Sequence, residues 1–483
     1  MIHYRAIGRV MGVLLILFGL LMLPGIAFSF YFGSDDKEAL IYSVLATVLP
    51  GIVFYLFFAK EKQNIRKRDG YLIVTLSWIL LSVFGMLPYL ISGVVDIWQE
   101  ALFETVSGLT TTGATIFKDI EVLPPGIMIW RSMTHWIGGL GIIVLTVAIF
   151  PLLGIGGIEL FTAEAPGPTL DKIHPRIRET SKRLWYVYSG LTLILMLVLY
   201  LEGMSFFDAV NHSFSTMSTG GFSTKNASMA YFDSPLIEYT TIIFMFIAGM
   251  NFTLIYFSLR GKANKVWHNE EFRAYVVIIA FITLLLFLSV YSLSGSSAEE
   301  AFRNTLFQVV SLITTTGFVT DDYTGYNNGV TFIFFILLFS GACAGSTSGG
   351  IKIIRHLVFV KNTFLEFKRM YHPRALIPLK IDEVTVTGKI INHIMNFLLI
   401  YLMVFVVGSV ILSVMGYDIP TSLGAVATTL GNVGPSIGHV GPIDNFAFFS
   451  PMAKLLFCFL MLLGRLELFT VLVLFTPFFW KAN

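Results

Sequence analysis

The chain has 483 residues, 55 % of them hydrophobic and 13 % charged, with a formal net charge of +2, and its mean hydropathy is +0.77. A water-soluble chain carries roughly 25 % charged residues, so this one is read as an all-α polytopic membrane protein with the lipid bilayer as its solvent. Two cysteines, Cys343 and Cys458, both in apolar stretches, give no disulfide framework and no zinc site. The net charge itself says little about partners, and no nucleic-acid partner is expected.

The N-terminal MIHYRAIGRV runs into some twenty apolar residues with no A-x-A-like cleavage site, which predicts a retained first helix. About 20 apolar residues carry a helix across the hydrocarbon core. Runs of that length fall near 10–32, 39–59, 71–94, 127–153, 185–202, 236–259, 275–294, 331–355, 390–415 and 453–479, which predicts ten transmembrane helices. Between several of them lie shorter Ser-, Thr- and Gly-rich segments near 97–117, 206–224, 300–320 and 420–437. These are too short and too polar to span, so they are read as re-entrant.

Basic residues set the orientation. Five Lys and Arg fall in 60–70, five in 154–184, four in 260–273 and eight in 352–389. On the opposite side Lys37, Lys118 and Lys225 stand alone, and 318–330 and 435–452 carry none. Both termini are therefore expected in the cytoplasm, with all four short segments entering from outside.

The short segments align on one glycine each: SGLTTTGAT on Gly113, SFSTMSTGGFST on Gly221, SLITTTGFVT on Gly317 and TTLGNVGPS on Gly434. Six residues earlier stand Ser107, Ser215, Ser311 and Thr428; two earlier stand Thr111, Thr219, Thr315 and Asn432. Each lies between long apolar runs and recurs about every hundred residues, which predicts four helix–pore-loop–helix repeats around one pore. The boundaries follow: two extra helices in 1–70, then repeats in 71–153, 154–259, 260–389 (with a broken helix and a cytosolic linker) and 390–483.

The residue types suit a cation path. A dehydrated potassium ion needs a ring of oxygens in place of its water, and an inward-turned backbone supplies carbonyls. Glycine permits the φ/ψ values this requires, and the C-terminal end of each short helix is partially negative. The expected ion-contacting residues are Thr111, Thr112 and Gly113; Thr219, Gly220 and Gly221; Thr315, Thr316 and Gly317; and Asn432, Val433 and Gly434.

Two further features stand out. The run 331–355 is interrupted by GACAGSTSGG at 341–350. Each glycine costs about 1 kcal/mol relative to alanine in a helix, so the run should unwind there. Unwound backbone at membrane depth must line a cavity or be buried in protein, and Gly345, Ser346, Thr347, Gly349 and Gly350 become gate candidates. Arg465 sits mid-span in the last apolar run, where an ionisable residue is costly and usually functional. It is expected to donate to carbonyls of the 341–350 loop. Lys352 is expected to snorkel from the helix end to the cytoplasm. Glu104, near the outer rim, reads equally as a cation attractor or as a brace for its helix.

These segments resemble the selectivity filters of the Trk/Ktr/HKT superfamily of potassium transporters, over about residues 71–479. WIGGLGIIVL (136–145), AGMNFTL (248–254), GACAGSTSGGIKIIR (341–355) and GRLELFTVLVLF (464–475) resemble the same family. The two extra N-terminal helices are more similar to the TrkH branch than to the KtrB branch. The resemblance implies potassium uptake, a homodimer with one pore per subunit, a gate at the interrupted helix including Lys352, a cytosolic nucleotide-binding ring of the TrkA type, and a bacterial inner-membrane location. It implies K+ as the transported ion and no organic cofactor. Ser348 stands where the family pattern has Gly, whereas Gly113 stands where sodium-preferring relatives carry Ser. An enzyme is disfavoured: GSTSG (345–349) has Thr347 at the centre of a G-x-S-x-G frame, no H-E-x-x-H occurs, and no glycine run follows a βαβ pattern. An alternating-access carrier would call for inverted repeats, not parallel ones entering from one side.

Overall fold

The computed structural model describes residues 2–58, 67–139, 141, 177–375 and 377–481. The described chain is mostly helical; its one sheet is a two-stranded hairpin pairing Lys380–Ile381 with Val384–Thr385. Among the described residues six helices are long and apolar enough to cross a bilayer: Tyr4–Phe32, Lys37–Phe57, Arg68–Ile91, Lys182–Leu201, Glu270–Leu293 and Gly388–Val414. Two bent pairs raise this to eight, Pro235–Ala248 with Phe252–Leu259 at 106° and Pro451–Arg465 with Leu468–Phe475 at 115°. This is a multi-pass membrane protein.

Of the ten spans expected from hydropathy, six to eight are found among the described residues by length and composition, for identifiable reasons. In the run 331–355 only Asn328–Leu337 and the start of Ile353–Tyr371 are helical, because the glycine-rich stretch between them is unwound. In the run 127–153 the helix Pro125–Gly139 is described, and the later part lies outside the described residues. So do most of the basic stretches expected at 60–70 and 154–184, and the 153/154 boundary.

The first two spans cross at two glycines. A Cβ on Gly12 would lie 2.7 Å from Gly51 O, and one on Gly51 would lie 3.0 Å from Gly12 O. Small residues let membrane helices approach this closely, and side-chain packing then replaces the hydrophobic drive that lipid cannot supply. The outward face of Lys37–Phe57 keeps Leu45, Leu49, Val53 and Phe57 exposed, as a lipid-facing helix should. At its start Asp36 is buried and accepts from Ile127 N at 2.9 Å, in the first turn of Pro125–Gly139. Ser34 Oγ donates to the same carboxylate at 2.5 Å. That contact joins the two extra helices to the rest of the bundle.

The four Ser- and Thr-rich segments each begin as a short helix: Trp98–Leu109, Phe206–Met217, Ala298–Ile313 and Ile419–Gly431. At 1.5 Å per residue their 12, 12, 16 and 13 residues fall short of a membrane crossing. Three start on side-chain caps, with Ser205, Ser297 and Asp418 accepting from Asp208 N, Glu300 N and Thr421 N. Each cap satisfies one of the orphan donors of a helix start.

Candidate functional site

All four short helices end in the same way. Thr111, Thr219, Thr315 and Asn432 adopt left-handed φ of 55°, 55°, 56° and 55°, and two residues later Gly113, Gly221, Gly317 and Gly434 have φ of 79°, 80°, 76° and 107°. Three of the first set are β-branched, for which positive φ is a true outlier. Such strain persists only where surrounding structure over-determines it, typically at functional sites. The determinant is a repeated backbone bond to the residue six before each glycine. Thr112 N donates to Ser107 O at 2.9 Å, Gly220 N to Ser215 O at 2.8 Å, Thr316 N to Ser311 O at 2.8 Å and Val433 N to Thr428 O at 3.0 Å. The side chains at these anchors also hold the chain beyond the glycine. Ser107 donates to Ala114 O at 2.6 Å, Ser311 to Phe318 O at 2.7 Å and Thr428 to Pro435 O at 3.3 Å. In the second segment Ser215 instead lies 3.4 Å from His135 Nδ1, and the His135 ring stacks on Phe222.

The four glycines meet the neighbouring segments in cyclic order. A Cβ on Gly113 would lie 2.2 Å from Gly220 O, one on Gly221 2.0 Å from Thr316 O, one on Gly317 2.0 Å from Val433 O and one on Gly434 2.8 Å from Thr112 O. Each glycine thus packs against the carbonyl preceding the next glycine, and the fourth closes on the first. Of the twelve residues expected to contact an ion, Thr112, Gly113, Gly220, Gly221, Thr316, Gly317, Val433 and Gly434 meet in this ring, and Thr111, Thr219, Thr315 and Asn432 stand one residue before it in the left-handed turns. It opens onto a vestibule lined in part by Gly113, Gly221, Gly317, Gly434, Lys118 and Asp444.

Side chains nine residues before the glycines brace the far wall. Glu104 is fully buried, pairs with Arg131 Nε at 2.6 Å and accepts from Ile116 N at 3.0 Å. Of the two readings left open for Glu104, the geometry is that of the brace. His212 Nε2 lies 2.9 Å from Ser223 Oγ, and Gln308 donates to Asp321 O at 3.0 Å. Arg131 also covers the Phe222 ring at 3.5 Å and donates to Ser223 O at 3.0 Å. Alignment on the glycines places Glu104, His212, Gln308 and Ala425 at this position; the fourth has no bracing side chain, and the other three share no residue type that would have flagged them.

Below the ring lies the unwound segment. The 341–350 loop folds back on itself: Gly341 N donates to Ile351 O at 2.8 Å, and Ala342 N to Ser348 Oγ at 3.1 Å. Ser348, the departure from the family pattern, thus closes the loop with its hydroxyl. Thr347 and Gly349 are buried against the short segments, Ser346 and Gly350 are half-buried, and Gly345 is exposed at the tip. Lys352 does not snorkel outward as expected. It turns back, and its Nζ donates to Ser348 O and, at 3.0 Å, to Ser348 Oγ, because the curled loop offers oxygens closer than bulk water. Glu271 holds both ends of the loop from a neighbouring helix, accepting from Ala344 N at 2.7 Å and Ile354 N at 3.1 Å.

Arg465 donates Nη1 to Thr347 O at 2.7 Å, and Nη2 to Gly138 O and, at 2.9 Å, to Gly139 O. The loop carbonyl anticipated from sequence is among its partners; the carbonyls of Gly138 and Gly139, at the end of Pro125–Gly139, were not foreseen. Nor were further interruptions beneath the ring. Phe252–Leu259 begins after a break at Gly249–Asn251, and Pro451–Arg465 ends before Glu467, whose φ is 60°. A Cβ on Gly464 would lie 2.1 Å from Leu430 O. Glu467 takes an ion pair from Arg355, whose guanidinium also covers the Phe397 ring at 3.8 Å.

Comparison with known proteins accords with this geometry. Residues 37–482 match the family model TrkH, described as cation transport protein. The "Trk system potassium uptake protein TrkH" of Salmonella typhimurium is 41 % identical, over 99 % of this chain and 100 % of that protein. "Trk system potassium uptake protein TrkG" of Escherichia coli is 35 % identical over 99 % of both chains. The crystal structure of the potassium transporter TrkH from Vibrio parahaemolyticus superposes with a TM-score of 0.90 at 37 % identity, covering 99 % of this chain and 100 % of that one. The chain belongs to the TrkH family of cation transport proteins, and it is a transporter rather than an enzyme.

Proposed function

We propose that this protein takes up potassium through one pore formed by the four glycine-centred segments, in the manner of a gated channel. The observation that carries the reading is the closed cycle of glycine–carbonyl contacts, since a ring of backbone oxygens is what a dehydrated cation requires. Potassium is the ion named for the relatives at 41 % and 35 % identity. In this reading the ten spans comprise two extra helices in 1–70 and four repeats in 71–153, 154–259, 260–389 and 390–483, with broken helices counted as spans. The chain lies in the bacterial inner membrane with both termini in the cytoplasm, an orientation supported by the eight basic residues of 352–389.

The gate is the 341–350 loop with Lys352 and Arg465, because buried loop residues sit directly beneath the ring and a fixed cation holds them there. A homodimer and a cytosolic nucleotide-binding ring of the TrkA type complete the assembly. The helix Ile353–Tyr371 continues from the gate loop and leaves Phe364, Phe367 and Met370 exposed beside basic residues, which suits a cytosolic docking element.

The test is reconstitution of the purified chain in liposomes, with rubidium flux and potassium/sodium bi-ionic potentials as readouts. Flux blocked by no substitution in the ring, or strict stoichiometric exchange without any reversal potential, would refute the pore. Single cysteines in the loop, after Cys343 is replaced, should label from the cytoplasmic side; labelling from outside reverses the orientation.

A further inference from the structure

The loop beneath the ring does more than lie under it. Gly349 N donates to Thr315 Oγ1 at 2.7 Å, and Thr219 Oγ1 lies 3.3 Å from Thr347 Oγ1. Both threonines are fully buried and both hold the left-handed φ that sets up the following glycine. Thr347 Oγ1 is in turn within hydrogen-bonding distance of Met217 O and Ala248 O, at 3.2 and 3.3 Å. The first and fourth segments are tied differently, to each other and to the helix Pro451–Arg465. Asn432 Nδ2 donates to Thr112 Oγ1 and to Met461 O, each at 3.0 Å. The loop meets the fourth segment by packing, where a Cβ on Gly349 would lie 2.6 Å from Gly431 O.

Resting on the pore reading above, we infer that the 341–350 loop sets ion selectivity as well as passage: Thr315 and Thr219 are positioning residues through which the loop fixes the second and third segments. A β-branched residue at positive φ is held only as long as its surroundings hold it. When the loop withdraws, the bonds to Gly349 N and Thr347 Oγ1 go with it, and two of the four strained residues lose a restraint that the other two do not share. The second and third segments then relax, and the carbonyls of Gly220 and Thr316, one residue beyond, shift within the ring. Discrimination is thus strictest with the loop seated and looser with it displaced.

The experiment compares Thr315→Val, which cannot accept from Gly349 N, with Thr315→Ser, which can. Both are reconstituted, and both rubidium flux and the potassium/sodium reversal potential are recorded. Thr315→Val should raise basal flux roughly tenfold, the factor carried by one lost buried hydrogen bond, and move the reversal potential toward sodium. Thr315→Ser, which keeps the acceptor, should move both back from the Val values toward wild type. Thr347→Val removes the other tie, from the loop to Thr219, and serves if Thr315→Val fails to insert. Raised flux with an unchanged reversal potential makes the loop a plug alone and overturns the inference, as does no change in either quantity. A Gly113→Ser control separates the two readings. If it shifts selectivity and the threonine variants do not, only the inference falls; if it too leaves selectivity unchanged, the pore itself is wrong.

Discussion

Arg465 and Thr347 are joined by a 2.7 Å bond from guanidinium Nη1 to main-chain carbonyl, while Nη2 of the same side chain reaches Gly138 O and Gly139 O. One planar fork thus ties the end of Pro451–Arg465 to the unwound 341–350 loop and to the end of Pro125–Gly139. The two nitrogens serve carbonyls of different segments, which a single ammonium cannot do with the same geometry.

Replacing Arg465 with Gln removes both the bonds and the charge. A fixed cation about 4 Å from a passing ion opposes it by on the order of 4 kcal/mol at an effective dielectric near 20. Rubidium uptake should therefore rise at least tenfold in Arg465→Gln without any partner present. Arg465→Lys keeps the charge but not the two-segment bridge, so its flux should fall between wild type and Gln. A folded, inserted Gln variant with less flux than wild type would show that the arginine supports the pore instead of closing it.

The glycine substitutions should form a graded series. Ser at Gly113, Gly221 or Gly317 places a Cβ 2.0–2.2 Å from a neighbouring carbonyl, whereas at Gly434 the distance is 2.8 Å. All four should lower potassium-over-sodium permeability in bi-ionic recordings, with Gly434→Ser giving the best-folded protein and the highest residual flux. Wild-type reversal potentials throughout the series would remove the ring from the conduction path.

Glu104 and Arg131 form a buried pair at 2.6 Å. Glu104→Gln leaves the Arg131 guanidinium over Phe222 without its counter-charge, and breaking a buried pair in this way costs about 3–5 kcal/mol. The variant should lose function at a distinctly lower temperature in detergent, measured as half-inactivation of fluorescence size-exclusion recovery. The double variant Glu104→Leu/Arg131→Met should regain part of the loss. If Glu104→Gln is as heat-resistant as wild type, the pair braces nothing.

Asp36 offers a contrast between stability and selectivity. Asp36→Ala strips the acceptor from Ile127 N and from Ser34, and one such buried loss costs about 1–3 kcal/mol. Thermal stability should drop, yet the potassium/sodium reversal potential should stay at its wild-type value, since no ring residue touches this carboxylate among the described contacts. A selectivity change here would mean that the two extra helices act on the ring.

The sequence alone determined the parts that are local or repeated. Apolar runs fix which helices lie in the membrane, since each must present some twenty residues to lipid. The four glycines were legible because one requirement, positive φ in a carbonyl-lined turn, recurs with the same spacing to Ser or Thr. The glycine-rich break at 341–350 announced itself by helix propensity, and Arg465 by the cost of a charge at that depth. Tertiary structure decided what depends on contacts between segments remote in the chain. The cyclic order in which Gly434 closes on Thr112 is one such case, because no local rule says which segment neighbours which. The inward turn of Lys352 is another, since a lysine at a helix end reads as snorkelling until a folded-back loop brings Ser348 oxygens within reach. The breaks at Gly249–Asn251 and before Glu467 were invisible for a related reason. A few small or polar residues inside an apolar run leave its hydropathy intact, and the bend arises only where Gly249 and Gly464 must pass tight against Ala342 and Leu430 of other segments.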